Sequence, residues 1–278
     1  MTQAIAFVGG GNMTRAIAGG LVDGGLDARR LRVSEPQADA RSALADLLPG
    51  ATISSDNAQI VAGAECVVLA VKPQILPAVC RGLADTVQAG RPLIVSIAAG
   101  VRSADIDAWL GGGLAIVRVM PNQPALVRKG VAGLYANERA SNADRDLAGS
   151  IMAAVGDVIL LDAEGDIDAV TAVSGSGPAY FFLLIDMLTR AAVDFGLPAD
   201  AARKLAIGTA RGSAALAAAS DVDMATLVSR VRSPGGTTAA ALDELDAADV
   251  RAIFAAALTA ARDRARDLAD QAHQDNPE

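Results

Sequence analysis

The feature that most limits how this chain can fold is an apolar run followed at once by a glycine cluster. Ala4–Val8 is continuously apolar, Gly9, Gly10 and Gly11 follow, and a helical pattern then extends to about Asp23. A strand, a glycine turn and a helix in this order are typical of the first unit of a sheet covered by helices. Glycines at such a turn let the backbone bend sharply and approach a bound group closely.

Short apolar runs and helical patterns continue to alternate to about residue 161. They predict strands at Leu31–Ser34, Ala51–Ile53, Cys66–Val71, Pro92–Ile97, Ala115–Met120, Val131–Tyr135 and Val158–Leu161. Strands that alternate with helices indicate a parallel sheet with right-handed crossovers. We therefore expect an α/β fold in which residues 1–162 form a Rossmann domain with a doubly wound, mostly parallel sheet.

The pattern changes after about Asp162, where no further strand is predicted. Long helical segments rich in Ala and Leu follow, at Pro178–Phe195, Ala199–Ala219, Met224–Val231, Thr237–Asp246 and Ala248–Ala272. Apolar residues surround most of each helix, and five helices alone cannot bury them all. We expect residues 163–272 to form an all-α domain that packs against a second copy as a homodimer, and residues 273–278 to form a flexible tail.

Charge and composition argue against several classes of function. The net charge is −8, and the most basic stretch, Arg262, Arg264 and Arg266, alternates with acidic residues rather than forming a stripe that would bind nucleic acid. No run of eighteen apolar residues predicts a membrane span, and Met1–Val8 does not resemble a signal segment. We expect a cytoplasmic protein that binds neither nucleic acid nor membrane.

Residues suited to reactive chemistry are few. The single histidine, His273, lies in a polar tail that we expect to fray, so we do not expect it to act as a general acid or base. Cys66 and Cys80 are expected to be buried free thiols, and without a nearby histidine neither predicts a metal site. The chemistry must use other groups.

The glycine cluster predicts a dinucleotide site. Its sequence is G-x-G-x-x-T, in which Gly9 makes the tight turn and Gly11 lets a pyrophosphate approach. The following helix starts at Asn12 and Met13, where unpaired backbone N–H groups attract phosphate. Thr14 replaces the third small residue of the usual pattern and could displace the helix slightly.

The choice between NAD and NADP stays open. Glu35 follows the second strand, where an acidic residue usually binds the ribose hydroxyls of NAD. Ser34 and Arg41 leave NADP possible, and Glu35 has the alternative role of capping the next helix.

Six segments together resemble the pyrroline-5-carboxylate reductases across nearly the whole chain. They are Phe7–Ile17 (FVGGGNMTRAI), Val68–Gln74 (VLAVKPQ), Ser96–Val101 (SIAAGV), Arg118–Pro124 (RVMPNQP), Asp168–Tyr180 (DAVTAVSGSGPAY) and Val231–Thr238 (VRSPGGTT). Two positions depart from the family pattern. Thr14 stands where the family usually has Gly or Ala, and Gln123 stands where it usually has Thr.

The resemblance implies a function and a set of site residues. The expected reaction is reduction of L-1-pyrroline-5-carboxylate to L-proline with NADPH or NADH, the last step of proline biosynthesis. The family also forms dimers through the helical domain, and larger rings of dimers. Matching positions put the nucleotide beside Asn57, Ala70, Val71, Lys72, Pro73, Ala98 and Asn122. They put the substrate beside Val231, Ser233, Gly235, Gly236, Thr237 and Thr238, with Ser176 a weaker candidate.

The residues of the SPGGTT segment suit that substrate chemically. Its glycines expose backbone N–H groups just before a helical pattern, and the helix dipole favours an anion there. A carboxylate could therefore bind without Lys or Arg, although an ordinary turn between helices is the alternative. A protonated imine is already electrophilic, so placement supplies most of the rate. Thr238 is the candidate to donate a hydrogen bond to the ring nitrogen, and Lys72 is expected to be structural or to lie at the cofactor's edge.

Three other classes of protein are rivals. A related cyclic-imine reductase or a β-hydroxyacid dehydrogenase would share the architecture, but the latter uses a Lys on the first long helix of the second domain. Residues 166–200 contain no Lys, and Lys204 comes one helix later. A lactate-type dehydrogenase would need a catalytic histidine. A non-catalytic protein that senses NADP is the third possibility, and the complete SPGGTT segment argues against it.

Overall fold

The computed structural model describes residues 4–274, which form two compact units. Of the described residues, unit 1 contains 4–176 and 261–274, and unit 2 is Gly177–Ala260. The division predicted between residues 162 and 163 precedes the start of unit 2 by a short helical segment.

Unit 1 is built on an eight-stranded sheet, as the alternating pattern predicts. The strands are β1 (Ile5–Val8), β2 (Leu31–Ser34), β3 (Thr52–Ser54), β4 (Cys66–Leu69), β5 (Leu93–Ser96), β6 (Ile116–Met120), β7 (Gly130–Ala136) and β8 (Gly156–Leu160). Their spatial order is β3-β2-β1-β4-β5-β6-β7-β8, and every neighbouring pair is parallel except β6 and β7. The order reverses between β1 and β4, which is the crevice where ligands bind in sheets of this kind.

The sheet is buried on both faces, which explains why its central strands are apolar without interruption. In β1, Ile5 and Phe7 belong to one core cluster, whereas Ala6 and Val8 belong to the other. Alternate residues of a strand point to opposite faces, so a strand covered by helices on both sides needs apolar residues at every position.

Seven α-helices surround this sheet before unit 2 begins. They are α1 (Asn12–Asp23), α2 (Ala38–Leu47), α3 (Asn57–Val61), α4 (Leu76–Gly90), α5 (Ser103–Trp109), α6 (Asn142–Ala153) and α7 (Asp166–Val170). Short 3₁₀ segments lie at Ala28–Arg30, Pro73–Ile75 and Gln123–Val127, and a π-helical turn covers Thr171–Gly175. The start of α6 is fixed by a capping box in which Ser141 and Asp144 exchange hydrogen bonds.

The predicted helices of the second half are confirmed. They are α8 (Gly177–Asp194), α9 (Ala199–Ala218), α10 (Met224–Val231), α11 (Thr237–Ala247) and α12 (Val250–Gln274), of which α12 contributes its last part to unit 1. The α/β fold with a mostly parallel sheet and a helical second part is therefore as expected from the sequence.

The end of the chain differs from its prediction in one respect. His273 does not belong to a frayed tail, because α12 continues through it and its Nδ1 lies 2.6 Å from Asp105 Oδ1 in unit 1. The apolar periodicity of the sequence predicts that the helix ends at Ala272, because the residues beyond it are polar. The remainder of the predicted flexible tail, residues 275–278, lies outside the described residues.

Unit 2 leaves most of its apolar side chains exposed. On α8 alone these include Phe181, Phe182, Leu183, Leu184, Met187 and Leu188. The helical stretch Asp166–Asp194 even has the length and hydropathy of a membrane span, and only 11% of its most apolar window is buried. An exposed apolar surface of this size is typical of a region that packs against a partner.

Candidate active site

Gly9 brings the ends of three neighbouring strands together. Its φ is +103°, and its N–H donates to Ser34 O at the end of β2 over 3.0 Å. A Cβ at this position would lie 2.7 Å from the carbonyl oxygen of Ala70, which follows β4. Only glycine fits both the backbone angle and this close approach. The turn after β1 is thereby held at the point where the strand order reverses.

Gly11 begins α1 and leaves its first turn open. No side chain caps this helix, and a Cβ on Gly11 would meet no atom within 4 Å. The N–H groups at Asn12 and Met13 therefore face unfilled space at the positive end of the helix dipole, which suits a pyrophosphate. Thr14, fully buried, donates from its hydroxyl to Gly9 O over 2.6 Å. Its hydroxyl thus ties α1 to the glycine turn.

Glu35 lies beside the same turn and accepts two backbone hydrogen bonds. Its Oε2 accepts from Gly10 N and its Oε1 accepts from Gln37 N, each over 3.0 Å. The carboxylate thus holds the glycine loop and also the approach to α2, which combines the two roles considered for it. Arg41 donates from Nη1 to the backbone carbonyl oxygens of Glu35 and Pro36, so its guanidinium lies against the backbone of this segment.

Ser34 is less available than its position suggests. It is 1% exposed, and its hydroxyl points towards Phe7 O at 3.5 Å. The polar groups accessible at the ribose end of the predicted site are therefore Glu35 and Arg41.

The loops after β4 and β5 lie along the same edge of the sheet. Ala70 and Val71 are half-buried, and exposed Lys72 precedes the 3₁₀ segment that starts with Pro73. Ala98, 5% exposed, follows β5. The carboxyl ends of parallel strands meet at one edge, so these residues lie on the same side of the sheet as the glycine turn, where ligands bind in sheets of this kind. Asn57, at the first turn of α3, is half-buried, and Asp56 caps that helix.

Asn122 uses both ends of its side chain within unit 1. Its Nδ2 donates to Ser174 O over 3.2 Å, and its Oδ1 accepts from Val131 N over 3.0 Å. The side chain is 8% exposed and therefore joins the segment after β6 to the π-helical turn. Gln123, beside it, is exposed. Ser176, half-buried, ends that π turn by donating from its backbone N–H to Thr171 O over 2.8 Å.

The SPGGTT segment forms a tight, exposed loop in unit 2. Gly235 has φ +69°, and Gly236 N donates to Ser233 O over 3.0 Å. Gly236 then begins α11 without any side-chain cap, so the first N–H groups, at Thr237 and Thr238, are open. An ion pair between Arg232 and Asp243 braces the loop against α11. Val231, the last residue of α10, is 60% exposed.

A buried polar network in unit 1 was not expected from the sequence. Glu164 accepts from Ser103 N over 2.6 Å, from Ser103 Oγ over 2.8 Å and from Arg118 Nη1 over 3.3 Å. Burial raises the pKa of Asp168, which Arg118 and Arg266 partly oppose. Ser103 and Glu164 lie 61 residues apart and neither stands in a local motif, so only the assembled fold reveals their contact.

Both cysteines are buried free thiols, as expected. Burial raises the pKa of Cys66 far above its usual range and that of Cys80 to about 12, so neither is a thiolate at neutral pH. Within residues 4–274, no group of three His, Cys, Asp or Glu side chains is arranged to hold a metal. The residues instead fit a dinucleotide, because the Gly9 turn, the open Gly11 position and Glu35 supply its usual contacts.

Comparison with known proteins agrees with this geometry. Residues 164–268 match the sequence model of a family described as pyrroline-5-carboxylate reductase dimerisation. Residues 4–100 match a model described as NADP oxidoreductase, coenzyme F420-dependent. The exposed apolar faces of unit 2 are thus those of a dimerisation unit.

Three relatives that span nearly the whole chain are described as reductases of pyrroline-5-carboxylate or pyrroline carboxylate. A pyrroline-5-carboxylate reductase of Pseudomonas aeruginosa is 47% identical over 98% of this chain and 99% of its own length. The solved structure of the Coxiella burnetii pyrroline-5-carboxylate reductase is 41% identical, covers 96% of this chain and 99% of that one, and has a TM-score of 0.91. The Plasmodium falciparum pyrroline carboxylate reductase with NADP bound is 27% identical, with 96% and 98% coverage and a TM-score of 0.85. This chain belongs to the pyrroline-5-carboxylate reductase family.

Proposed function

We propose that this protein reduces L-1-pyrroline-5-carboxylate to L-proline with NADPH or NADH, as the last step of proline biosynthesis. The observation that carries the proposal is a pair of uncapped helix N-termini, each preceded by glycines: α1 at Gly11 and α11 at Gly236. Each suits one of the two anions of the reaction, the cofactor's pyrophosphate and the substrate's carboxylate.

The cofactor site uses residues of unit 1. Gly9, Gly11, Asn12 and Met13 would hold the pyrophosphate, and Glu35 would bind the ribose. The remaining contacts would come from the segments after β2, β4, β5 and β6 and from the start of α3, at Ser34, Asn57, Ala70, Val71, Lys72, Pro73, Ala98 and Asn122. The bound nicotinamide supplies the hydride.

The substrate site uses the SPGGTT loop. Ser233, Gly235, Gly236 and Thr237 would hold the carboxylate through backbone N–H groups and hydroxyls. Thr238, in the first turn of α11, would be the catalytic residue. Because a protonated ring nitrogen has no lone pair, its N–H would donate a hydrogen bond to the Thr238 hydroxyl oxygen. Val231 would border the ring, with Ser176 as a further contact.

This assignment needs no histidine. A protonated imine accepts a hydride without further activation, so the protein contributes mainly by holding the imine carbon against the nicotinamide and by excluding water. Lys72 would act at the cofactor's edge rather than as an acid. The predicted absence of an internal general acid is consistent with this chemistry.

The protein would work in the cytoplasm as a homodimer, or as a ring of dimers, without binding nucleic acid or a membrane. The net charge of −8 supports the last part of this proposal, because a negatively charged protein is not attracted to nucleic acid or to an anionic membrane surface. The functional division would follow residues 1–162 for the cofactor and 163–272 for the substrate and dimer.

The first test is turnover, followed as loss of nicotinamide absorbance with L-1-pyrroline-5-carboxylate and each cofactor in turn. Oxidation of β-hydroxyacids with NAD or NADP, or reduction of larger cyclic imines alone, would favour the related reductases instead. Cofactor binding with no turnover on any of these substrates would favour a sensor.

A matched pair of variants tests the cofactor site. Gly11→Ala has an ordinary backbone angle, φ −68°, and its methyl group would contact no protein atom within 4 Å. The variant should fold normally yet place that methyl in the pyrophosphate's space, raising the cofactor KM about tenfold or more, or about 1.4 kcal/mol. Gly19→Ala, which also has open space on α1, should leave the cofactor KM unchanged. Equal behaviour of the two variants would place the dinucleotide elsewhere.

A second pair tests Thr238. Thr238→Ala should lower kcat/KM for the imine about tenfold or more, because a hydrogen bond to a charged group contributes about 1.5–3 kcal/mol. Thr238→Ser retains the hydroxyl and should recover most of the activity. Unchanged kcat/KM in Thr238→Ala would remove this residue from the mechanism.

A further inference from the structure

The last part of α12 packs closely on unit 1. We define the C-terminal segment as residues 261–274, which belong to that unit. Ala265 and Ala269 are 6% and 2% exposed, and Ala272 packs against the core cluster that contains Ala98 and Val101. Residues four apart share one face of a helix, so a row of small side chains lets this face approach unit 1 closely.

The face contacts the loop that follows β5. Gly100, in the middle of that loop, has φ +67°, and a Cβ there would lie only 3.1 Å from Leu268 Cβ. At the end of the loop, Arg102 forms an ion pair with Asp270. The C-terminal segment therefore contacts the loop at its centre and at the point where it enters α5.

A third contact involves a buried carboxylate. Asp105, in the first turn of α5, is 2% exposed, and its Oδ1 lies 2.6 Å from His273 Nδ1. A carboxylate can only accept, so Nδ1 carries the proton in this contact. Its other oxygen, Oδ2, has no hydrogen-bond partner among residues 4–274. Burying a carboxylate is costly unless it is hydrogen-bonded, so Asp105 depends on His273.

The loop held in this way is part of the cofactor crevice. Ala98 is its first buried residue, and the loop lies at the carboxyl end of β5, where ligands bind in such sheets. Glu164 holds Ser103 immediately beyond it, through the two hydrogen bonds described above. Glu164 therefore holds the residue directly after the loop, and the C-terminal segment contacts the loop itself at Gly100 and Arg102.

We propose that Leu268, Asp270 and His273 are positioning residues for the nicotinamide cofactor. Leu268 and Asp270 contact the loop from Ala98 to Arg102, and His273 contacts α5 directly after it. Together they hold the loop in the shape that the cofactor requires, without touching the cofactor or the substrate. The inference rests on the proposed function in taking this loop as a cofactor contact, and it adds a role for the sole histidine.

The test compares variants of His273 and Leu268 with a control variant on the same helix. His273→Leu removes the donor, whereas His273→Asn retains an N–H at the corresponding δ position. Leu268→Ala removes the contact with Gly100. Arg264→Ala is the matched control, since Arg264 is exposed on the same helix. For each full-length dimer, cofactor Kd is measured by nicotinamide fluorescence, and kcat and both KM values are measured by turnover.

His273→Leu and Leu268→Ala should raise cofactor Kd and KM about three- to tenfold, since lost preorganisation weakens binding. Their kcat and imine KM should change less than about twofold. The variants weaken cofactor binding equally in the ground state and in the transition state, so the chemical step itself is unaffected. His273→Asn should restore the cofactor Kd, and Arg264→Ala should match the unchanged protein.

A fall in thermal stability with unchanged cofactor Kd would reduce the C-terminal segment to a structural role and overturn the proposal. Equal losses in His273→Asn and His273→Leu would overturn the part that concerns His273. If the unchanged protein binds cofactor but does not reduce the imine, the proposed function fails while the Kd comparison still decides this inference.

Discussion

The two units of this chain bury their apolar residues in different ways. In unit 1, side chains such as Phe7, Leu69 and Ile94 are fully buried in clusters on both faces of the sheet. Among residues 177–260, only Gly177, Ala202 and Ala206 are buried, and Phe181 and Phe182 are 62% and 59% exposed. Unit 1 thus contains its own hydrophobic core. Unit 2 is also rich in apolar residues, but most of their side chains are exposed.

The difference shows where each unit obtains its stability. Burying a Phe, Leu or Met side chain contributes about 1.5–3 kcal/mol, and unit 2 gains little of this within one chain. Residues 164–268 match a dimerisation family, and a second copy of the chain is the partner that we propose for this surface. Folding of unit 2 should therefore depend on protein concentration, and folding of unit 1 should not.

The largest expected effect follows from placing a charge on the exposed face of α8. Phe182→Asp should abolish the dimer, because an unpaired carboxylate inside an apolar interface costs several kcal/mol. Light scattering should give the mass of one chain, and turnover should fall below detection. Leu47→Asp, at a 46% exposed apolar position of unit 1, is the control and should remain a dimer. A dimeric Phe182→Asp protein would mean that α8 is not part of the interface.

The next effect concerns the core of unit 1. Phe7 is fully buried, so Phe7→Ala should lower the free energy of unfolding by about 3–5 kcal/mol through lost contacts and a residual cavity. Chemical denaturation followed by circular dichroism measures this loss. The dimer dissociation constant should stay the same, in contrast to Phe182→Ala, which should raise it. If Phe7→Ala weakens the dimer as much as Phe182→Ala does, the stability of the dimer depends on the core of unit 1 as well as on the exposed apolar residues of unit 2.

The sequence predicts the elements of this fold well because each carries a local signal. The apolar runs that contain β1 and β4 are flanked by glycine or polar residues, and the pattern of Met224–Val231 gives the bounds of α10 as observed. The glycine turn is likewise a local signal, since Gly9 and Gly11 lie two positions apart in one short segment.

Contacts between distant segments could not be predicted in the same way. Glu164 meets Ser103, and His273 meets Asp105, across separations of 61 and 168 residues, and no local pattern connects them. Ser34 is polar and stands where NADP enzymes often use a small polar residue, yet packing under the glycine turn buries it. Such contacts depend on which elements the completed fold places side by side.

Glu35 gives a smaller effect that should stay within unit 1. Glu35→Gln retains an acceptor for Gly10 N but removes the negative charge from the ribose end of the site, where Arg41 is already close. The ratio of kcat/KM with NADPH to that with NADH should rise about tenfold, since losing one repulsive contact with a 2′-phosphate is worth about 1.4 kcal/mol. Glu138→Gln, at an exposed position after β7, is the control and should leave the ratio unchanged.

An unchanged ratio in Glu35→Gln would show that Glu35 serves only to hold the glycine loop and the approach to α2. A fall in dimer mass would be unexpected, because the residues that contact Glu35 all lie in unit 1.

The smallest expected effect tests whether a helix cap in unit 1 stabilises the fold independently of the dimer. Ser141 caps α6 by accepting from Asp144 N over 3.2 Å, so Ser141→Ala should lower the free energy of unfolding by about 1 kcal/mol. Ser150→Ala, in the interior of the same helix, should be neutral or slightly stabilising, because alanine is the better helix former there. Denaturation of both variants at two protein concentrations measures the difference. The loss in Ser141→Ala should be the same at both concentrations, since α6 packs within unit 1, and a loss that grows on dilution would mean that even this helix depends on the dimer.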